Sequence, residues 1–239
     1  MNLIITMAGR YVRFIEEGYK IPKFLLPWGV RSILHEILWE LTRGGAFDAV
    51  YLVANKRDEI YMPHVRRILS DLRIPKENLF LVGDTSGQAE TAKVGVEKAK
   101  MLKGELSGPV VFHNIDTVLY GRDLSGLPLL LKENMGYIDI FRASHHDYSY
   151  VLANERGQVE AIVEKVVISE QATSGLYAFG DVHHFLDYYN SDEHYLSDVY
   201  QKMINDGQSV RVGDLYTEKE TIVLGTPLEY LSAMHTLDL

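Results

Sequence analysis

The sequence contains no cysteine, which excludes disulfides, zinc–thiolate centres and cysteine nucleophiles together. It also lacks an excess of Lys and Arg. The formal net charge is −9, whereas a non-specific nucleic-acid binder needs clustered positive charge. An acidic protein can still hold a locally basic pocket, so an anionic small-molecule substrate stays open. No window approaches the ~20 consecutive apolar residues of a membrane helix. The start, Met1-Asn2-Leu3-Ile4-Ile5-Thr6-Met7-Ala8-Gly9, has neither the basic region nor the apolar length of a signal peptide. The expected location is therefore the cytoplasm, with no nucleic-acid and no membrane partner. Gly-x-Gly-x-x-Gly and Gly-x-x-x-x-Gly-Lys patterns are both missing, which argues against the usual dinucleotide and P-loop sites. Repeats, low-complexity tracts and linkers are absent too. A length of 239 residues fits one α/β domain over 1–239 better than two independent ones.

What is present is a regular alternation. Leu3-Ile4-Ile5, Val50-Tyr51-Leu52-Val53-Ala54, Leu79-Phe80-Leu81-Val82 and Val110-Val111-Phe112 are short apolar runs of the kind found in buried strands. Between them lie helical patterns. Ser32 is placed to cap one that runs to Leu41 and stops at Gly44-Gly45. A second covers His64 to Leu72. A third, Gln88 to Lys103, presents the small face Ala89, Ala92, Val96, Ala99 expected where a helix sits close on a sheet. This predicts a mixed, mostly parallel, Rossmann-like sheet with helices on both faces. Beyond Tyr137 the pattern turns to strands at 137–143, 148–153, 159–163 and 174–179, then helices at 182–189 and 196–204. Short strands near Val210 and Ile222 and a helix after Pro227 follow, as an elaboration of the same sheet.

Ligands in such sheets sit at the carboxyl ends of the strands. That rule selects the turn after Met7, the turn before Gln88, and Asn114-Ile115-Asp116. In the first, free backbone N–H groups with Arg13 and Lys23 suit a polyphosphate, and Pro22 helps to aim Lys23. The same stretch also reads as a loop with surface basic residues. Asp116 is a hard carboxylate suited to Mg2+, and equally a common turn former. Gln88 could read a base edge or cap its helix.

Taken in order, these segments resemble a known family. Met7-Ala8-Gly9…Arg13-Phe14 followed by Gly18-Tyr19-Lys20-Ile21-Pro22-Lys23-Phe24-Leu25-Leu26-Pro27-Trp28 looks like the signature of sugar-phosphate nucleotidyltransferases. Gly87-Gln88-Ala89-Glu90-Thr91, Asn114-Ile115-Asp116-Thr117, Glu164-Lys165, Thr173-Ser174-Gly175-Leu176-Tyr177, Tyr195-Leu196-Ser197-Asp198-Val199 and Gly225-Thr226-Pro227 then fall in the family's order. The resemblance covers nearly the whole chain. No single motif is specific, but the ordered set is.

The resemblance implies a glycosyltransferase-A-like nucleotidyltransferase fold, with a nucleotide-binding half at 1–125 and a sugar-phosphate-binding half at 126–239. It implies transfer of a nucleoside monophosphate from a nucleoside triphosphate to a sugar phosphate or similar phosphoester, with loss of pyrophosphate. Arg13 and Lys23 would hold the triphosphate beside Ala8 and Gly9. Gly87, Gln88 and Asn114 would face the nucleotide, and Asp116 would carry Mg2+. Glu164, Lys165, Ser174 and Gly175 would receive the acceptor. Supply of capsule or other surface-glycan precursors is the implied pathway class, and self-association is left open.

The chain departs from the family pattern in two places. Tyr11 and Val12 stand where a glycine and a small hydroxylated residue usually precede the Arg, which stiffens that loop. Val223 stands where many relatives carry a second metal-binding Asp, so metal binding would rely more on the phosphates and water, or on an unrecognised ligand such as Asp198 or Glu220. These departures keep two rivals in view: a non-catalytic nucleotide- or sugar-binding relative, and a glycosyltransferase of related fold. The second usually shows paired acids at the metal site, where this chain has Asn114. His145-His146-Asp147 and His183-His184 are read as surface residues and not as a metal site, since neighbouring histidines diverge on strands and helices alike; a substrate contact by His145-His146, just before Tyr148, stays open. Glu16-Glu17 is read as the solvated face of a long N-terminal loop, and the 15 tyrosines as a mixture of core and interface residues.

Overall fold

The computed structural model describes residues 1–237. The first part of the chain forms β1 (Asn2–Met7), α1 (Val12–Glu16), β2 (Pro27–Trp28), β3 (Arg31–Ser32), α2 (Ile33–Thr42), β4 (Ala49–Asn55), α3 (Met62–Asp71), β5 (Leu79–Val82), α4 (Gln88–Lys103), β6 (Val110–Asn114) and β7 (Thr117–Leu119). The remainder forms α5 (Leu127–Glu133), β8 (Gly136–Arg142), β9 (Ser149–Ala153), β10 (Val159–Glu164), β11 (Gln171–Phe179), α6 (Val182–Tyr188), α7 (Leu196–Asn205), β12 (Val210–Tyr216), β13 (Thr221–Val223) and α8 (Pro227–Met234).

Strands β5, β4, β1 and β6 pair in parallel, and β11 then joins β6 antiparallel within one nine-stranded sheet. Alternation along the parallel strands divides the core in two. Leu3, Ile5 and Leu52 pack with Ile33, Ile37 and Leu69 of α2 and α3. Ile4, Tyr51 and Val53 pack on the opposite face with Ala89, Ala92 and Val96 of α4 and with α6 and α7. Helices therefore cover both faces, as the alternation predicts. The small face of α4 has a further member in Gly95, where a Cβ would lie 2.8 Å from Ile4 Cγ2 and Val53 Cγ2. That helix touches the sheet at backbone distance.

Ser32 caps α2 through a bond from the His35 N–H at 3.3 Å, and Gly45, at φ 69°, follows its end. The stretch around Glu16 is a correction: it belongs to α1, one turn pinned by Phe14, which is fully buried against the edges of Tyr19 and Tyr230. Strand β11 begins three residues earlier than the apolar run suggests, because Gln171 to Thr173 pair with β8. Its pairing with β8 is interrupted between Thr173 and Tyr177, and on its other edge it passes from β9 to β6 over the same interval. The sheet is therefore open at Ser174-Gly175, in front of the end of β6. Among the described residues no helix is long and apolar enough to cross a membrane.

Candidate functional site

The ends of β1 and β6 and the interruption in β11 open onto a cleft of about 750 Å3. Ala8, Gly9, Arg13 and Lys23 enter it from the N-terminal loop, Gly87 and Gln88 from the start of α4, and Asn114 and Asp116 from the end of β6. Glu164, Ser174 and Gly175 form the opposite wall. Lys165 does not line the cleft. Its ammonium donates to Tyr195 Oη at 2.9 Å and lies 4.8 Å from the Tyr195 ring centre. That contact raises the lysine pKa, so it stays charged.

On the N-terminal side, β1 stops at Met7 and the chain runs through an open loop into α1. None of the N–H groups of Gly9, Arg10, Tyr11, Val12 or Arg13 has a backbone acceptor among the described residues. Five consecutive free donors beside a basic side chain make a concavity for an anion. Lys23 follows Pro22 into a single 3-10 turn that buries Phe24, and this turn aims the lysine inward. Its Nζ lies 2.6 Å from Asp116 Oδ2. Burial alone would raise the Asp116 pKa, but the charge and hydrogen bond of Lys23 outweigh it and hold the carboxyl below its usual range.

Asp116 sits in the turn between β6 and β7. Its carbonyl accepts from the Leu224 N–H at 2.7 Å, which ties the loop after β13 to it. His113, one strand position before Asn114, is fully buried, with Nε2 against the Thr117 carbonyl at 2.8 Å. Burial depresses its pKa to about 4, so the ring is a neutral spacer that shapes this turn.

Gln88 does not cap its helix, since Gly87 is the residue preceding α4; it lines the cleft, where its amide nitrogen donates to Asn114 Oδ1. Two glycines are required by close approach. A Cβ on Gly87 would lie 2.3 Å from the His194 carbonyl oxygen, and one on Gly175 would lie 2.6 Å from Asn114 Nδ2. Gly175 also has φ 87°, where a side chain is strained in any case. On the far wall, Glu164 accepts from the hydroxyls of Ser149 and Ser197. Tyr177 Oη and Thr173 Oγ1 pair at 2.9 Å. Apart from Ser197, which comes from the start of α7, these groups project from antiparallel strands, and together they form a surface of hydroxyls around one fixed carboxylate.

Neither expected substitute for the acid missing at Val223 reaches Asp116. Asp198 accepts from the Tyr195 N–H at the start of α7, and Glu220 is bonded to Thr217 in a surface turn. A carboxylate that does enter the cleft beside Asp116 is Glu229. A Cβ on Gly225 would lie 3.4 Å from Glu229 Oε2 and 3.5 Å from Asp116 Oδ2, so the two acids flank one glycine. The sequence carried this signal as a capping box: Thr226 Oγ1 accepts from the Glu229 N–H and Glu229 from the Thr226 N–H. That box fixes a carboxylate one turn beyond Gly225. Among the described residues no group of three His, Asp or Glu side chains could hold a metal ion by itself. The donor set is hard oxygen and incomplete, which fits Mg2+ that keeps water and phosphate ligands. His145 and His146 lie in the loop after β8, not on a strand, and their rings stack at 4.6 Å instead of diverging.

Comparison with solved structures places this arrangement. The chain has the nucleotidyltransferase fold. It superposes on a nucleoside-diphosphate-sugar pyrophosphorylase from Vibrio cholerae with a TM-score of 0.85 at 22% identity, over 98% of this chain and 100% of that one. An inositol-1-phosphate CTP transferase from T. maritima gives 0.70 at 17% identity, over 95% and 90%. A UDP-glucose pyrophosphorylase complexed with UDP-glucose gives 0.73 at 15%, over 98% and 97%. No family model matches the sequence, and no curated protein does. The nucleotidyltransferase fold is thus carried by a sequence far from these examples.

Proposed function

We propose that this protein is a nucleotidyltransferase that joins a nucleoside monophosphate to a phosphorylated small molecule, a sugar phosphate or similar phosphoester. The observation that carries this reading is the Lys23–Asp116 pair at 2.6 Å, set between a loop of free amides and a wall of hydroxyls in a nucleotidyltransferase fold. A phosphate oxygen of the acceptor attacks the α-phosphorus of the triphosphate. The bond from that phosphorus to the oxygen bridging to the β-phosphate breaks, and pyrophosphate leaves with the electron pair. Such a step depends on alignment and charge neutralisation more than on covalent help.

Residues 9–13 and Arg13 hold the β- and γ-phosphates. Lys23 leaves Asp116 for the phosphates and offsets charge that grows on the α-phosphoryl oxygens. Asp116, with Glu229 across Gly225, would hold Mg2+, whose charge further neutralises the triphosphate. Gly87 and the end of β5 face the nucleoside, and Gln88 keeps Asn114 in place. Glu164 accepts hydroxyl protons of the acceptor in hydrogen bonds, while Lys165, turned away from Tyr195, meets its phosphate. The nucleotide half is then 1–125 and the acceptor half 126–239. We place the enzyme in the cytoplasm, making activated precursors of capsule or other surface glycans.

The test is pyrophosphate release from each of the four common nucleoside triphosphates, with Mg2+, against a panel of hexose 1-phosphates, heptose phosphates and phosphocholine. One base and one acceptor should give turnover that EDTA abolishes. Nucleotide binding without turnover on any acceptor would favour the non-catalytic reading, and release of a nucleoside diphosphate from a nucleotide-sugar would favour the glycosyltransferase.

A further inference from the structure

Tyr11 is one of three non-glycine residues with positive φ among the described residues, at φ 38° and ψ 40°. This left-handed conformation is costly for any residue that has a Cβ, and it persists only where the surroundings enforce it. Here the enforcing groups come from the end of β4, outside the chemistry described above. Tyr11 Oη donates to Asp58 Oδ1 at 2.5 Å. The Asp58 side chain is 1% exposed, and no step of the proposed reaction uses it. The Arg57 guanidinium lies 5.1 Å from the Tyr11 ring centre and 3.4 Å from Asp58 Oδ2. Its Nη2 donates to the Gly9 carbonyl at 2.8 Å. Asn55 completes the support: its Oδ1 accepts from the Arg57 N–H at 2.8 Å, and its Nδ2 donates to Asp84 Oδ1 at 2.9 Å.

We propose that Tyr11, Arg57 and Asp58 form a brace that pre-shapes residues 8–13 to receive phosphate oxygens, the tyrosine achieving by attachment what a glycine at that position achieves by conformational freedom. They are positioning residues, and the proposal rests on the nucleotide-binding reading of the cleft. Its geometry follows from the planar trans peptide. Arg57 draws the Gly9 carbonyl outward, so the Arg10 N–H on the same peptide points the opposite way, toward the cleft. The left-handed Tyr11 followed by right-handed α1 turns the next N–H groups into the same concavity. The ring at position 11, which borders the cleft, is therefore anchored by Asp58 and Arg57. A loop held in its binding shape loses less entropy when its anion arrives. The Tyr11 hydroxyl stays protonated as a donor, since burial first and the Asp58 bond second push its pKa to about 12.

Two readouts test the brace, one of them independent of any nucleotide. In the free protein, amide hydrogen exchange at Phe14 and Ile15, whose N–H groups donate to the Tyr11 carbonyl, should quicken about tenfold in Tyr11→Phe, which removes one buried hydrogen bond and leaves the ring. Calorimetric binding of inorganic tripolyphosphate, a probe without a base, should weaken by about the same factor. Asp58→Asn should reproduce both effects in the parent, but add little in a Tyr11→Gly background, where no side chain remains to be held. Unchanged exchange in Tyr11→Phe overturns the proposal, as does an Asp58→Asn effect equally large in both backgrounds. Should Asp58→Asn fail to fold, Tyr11→Phe decides alone. If the parent binds neither tripolyphosphate nor any nucleoside triphosphate, the nucleotide reading is lost, and the exchange comparison still decides whether the brace exists.

Discussion

On the side of the cleft built from β1, β4 and β6, the polar groups belong to loops at the ends of parallel strands. On the side built from β9, β10 and β11, they are side chains standing on antiparallel strands. The loop side offers backbone N–H donors, and each loop is fastened from outside: residues 8–11 by Asn55, Arg57 and Asp58, Gly87 by the His194 backbone, Asp116 by the Leu224 N–H. The strand side needs no such fastening, because the sheet ladder already fixes Ser149, Glu164 and Thr173. Backbone donors suit a ligand part that never changes, the phosphates. Strand side chains can be exchanged without disturbing the fold, which suits the part that differs between enzymes of one architecture.

The largest effect should come from the joint between the two sides. Arg122, just after β7, meets Asp139 of β8 at 3.1 Å, with side chains 2% and 0% exposed. Its guanidinium also lies 3.7 Å from the Tyr216 ring centre. Burial raises the Asp139 pKa against the pull of Arg122. Arg122→Met leaves that carboxyl buried without its partner and should cost about 3–5 kcal/mol of stability in urea unfolding. A loss confined to one side, seen as two separate unfolding transitions, would show that the sides are independent units. Next in size is Lys23→Ala. It should lower kcat about 10²–10³-fold, on the scale of a lost oxyanion donor, with stability changed much less. An equal fall in stability would make Lys23 a structural ion pair and break the assignment of the loop side to catalysis.

The same division explains what the sequence made legible. Strands β1, β4 and β6, helix α4 and the capping of α2 rest on periodicity and on residues a few positions apart, so they can be read locally. The convergence of Arg13, Lys23 and Asp116 follows from the rule that ligands meet strand ends. What could not be read depends on partners far along the chain. Gln88 faces Asn114, Lys165 turns to Tyr195, and it is Glu229, not Asp198 or Glu220, that lies across Gly225 from Asp116. Helix α1 escaped because it is five residues long and its preceding Tyr11 makes no capping bond. Tyr11 itself illustrates the limit: its bulk was legible as stiffening, but the direction of the ring depends on Asp58, 47 residues away.

A smaller effect separates the sides by pH. The His113 pKa is depressed to about 4 in the folded protein, below its unfolded value of about 6.5. Its neutral form is the folded form, so its contribution is complete above pH 6.5 and is lost as pH falls toward 4. Between pH 7 and pH 5 this should remove about 2 kcal/mol. Thermal melts of His113→Gln against the parent should show that slope flattened. An unchanged slope would place the titrating group elsewhere than at the end of β6.

The smallest effect should be the most selective. Glu164 is held by Ser149 and Ser197 through the same oxygen, Oε2, and its Oε1 lies 3.8 Å from Lys165 Nζ. Glu164→Gln keeps the shape and the hydroxyl contacts at one oxygen but exchanges a charged acceptor for a neutral amide. A hydrogen bond to a charged group is stronger than one to a neutral group by roughly 1 kcal/mol. KM for the phosphorylated acceptor should therefore rise about fivefold to tenfold. KM for the nucleoside triphosphate should stay within about twofold, because nothing on the loop side touches this carboxylate. Steady-state kinetics with each substrate varied in turn measures both. If the triphosphate KM moved as much as the acceptor KM, the two walls would share one ligand, and the division of labour argued from their construction would fail.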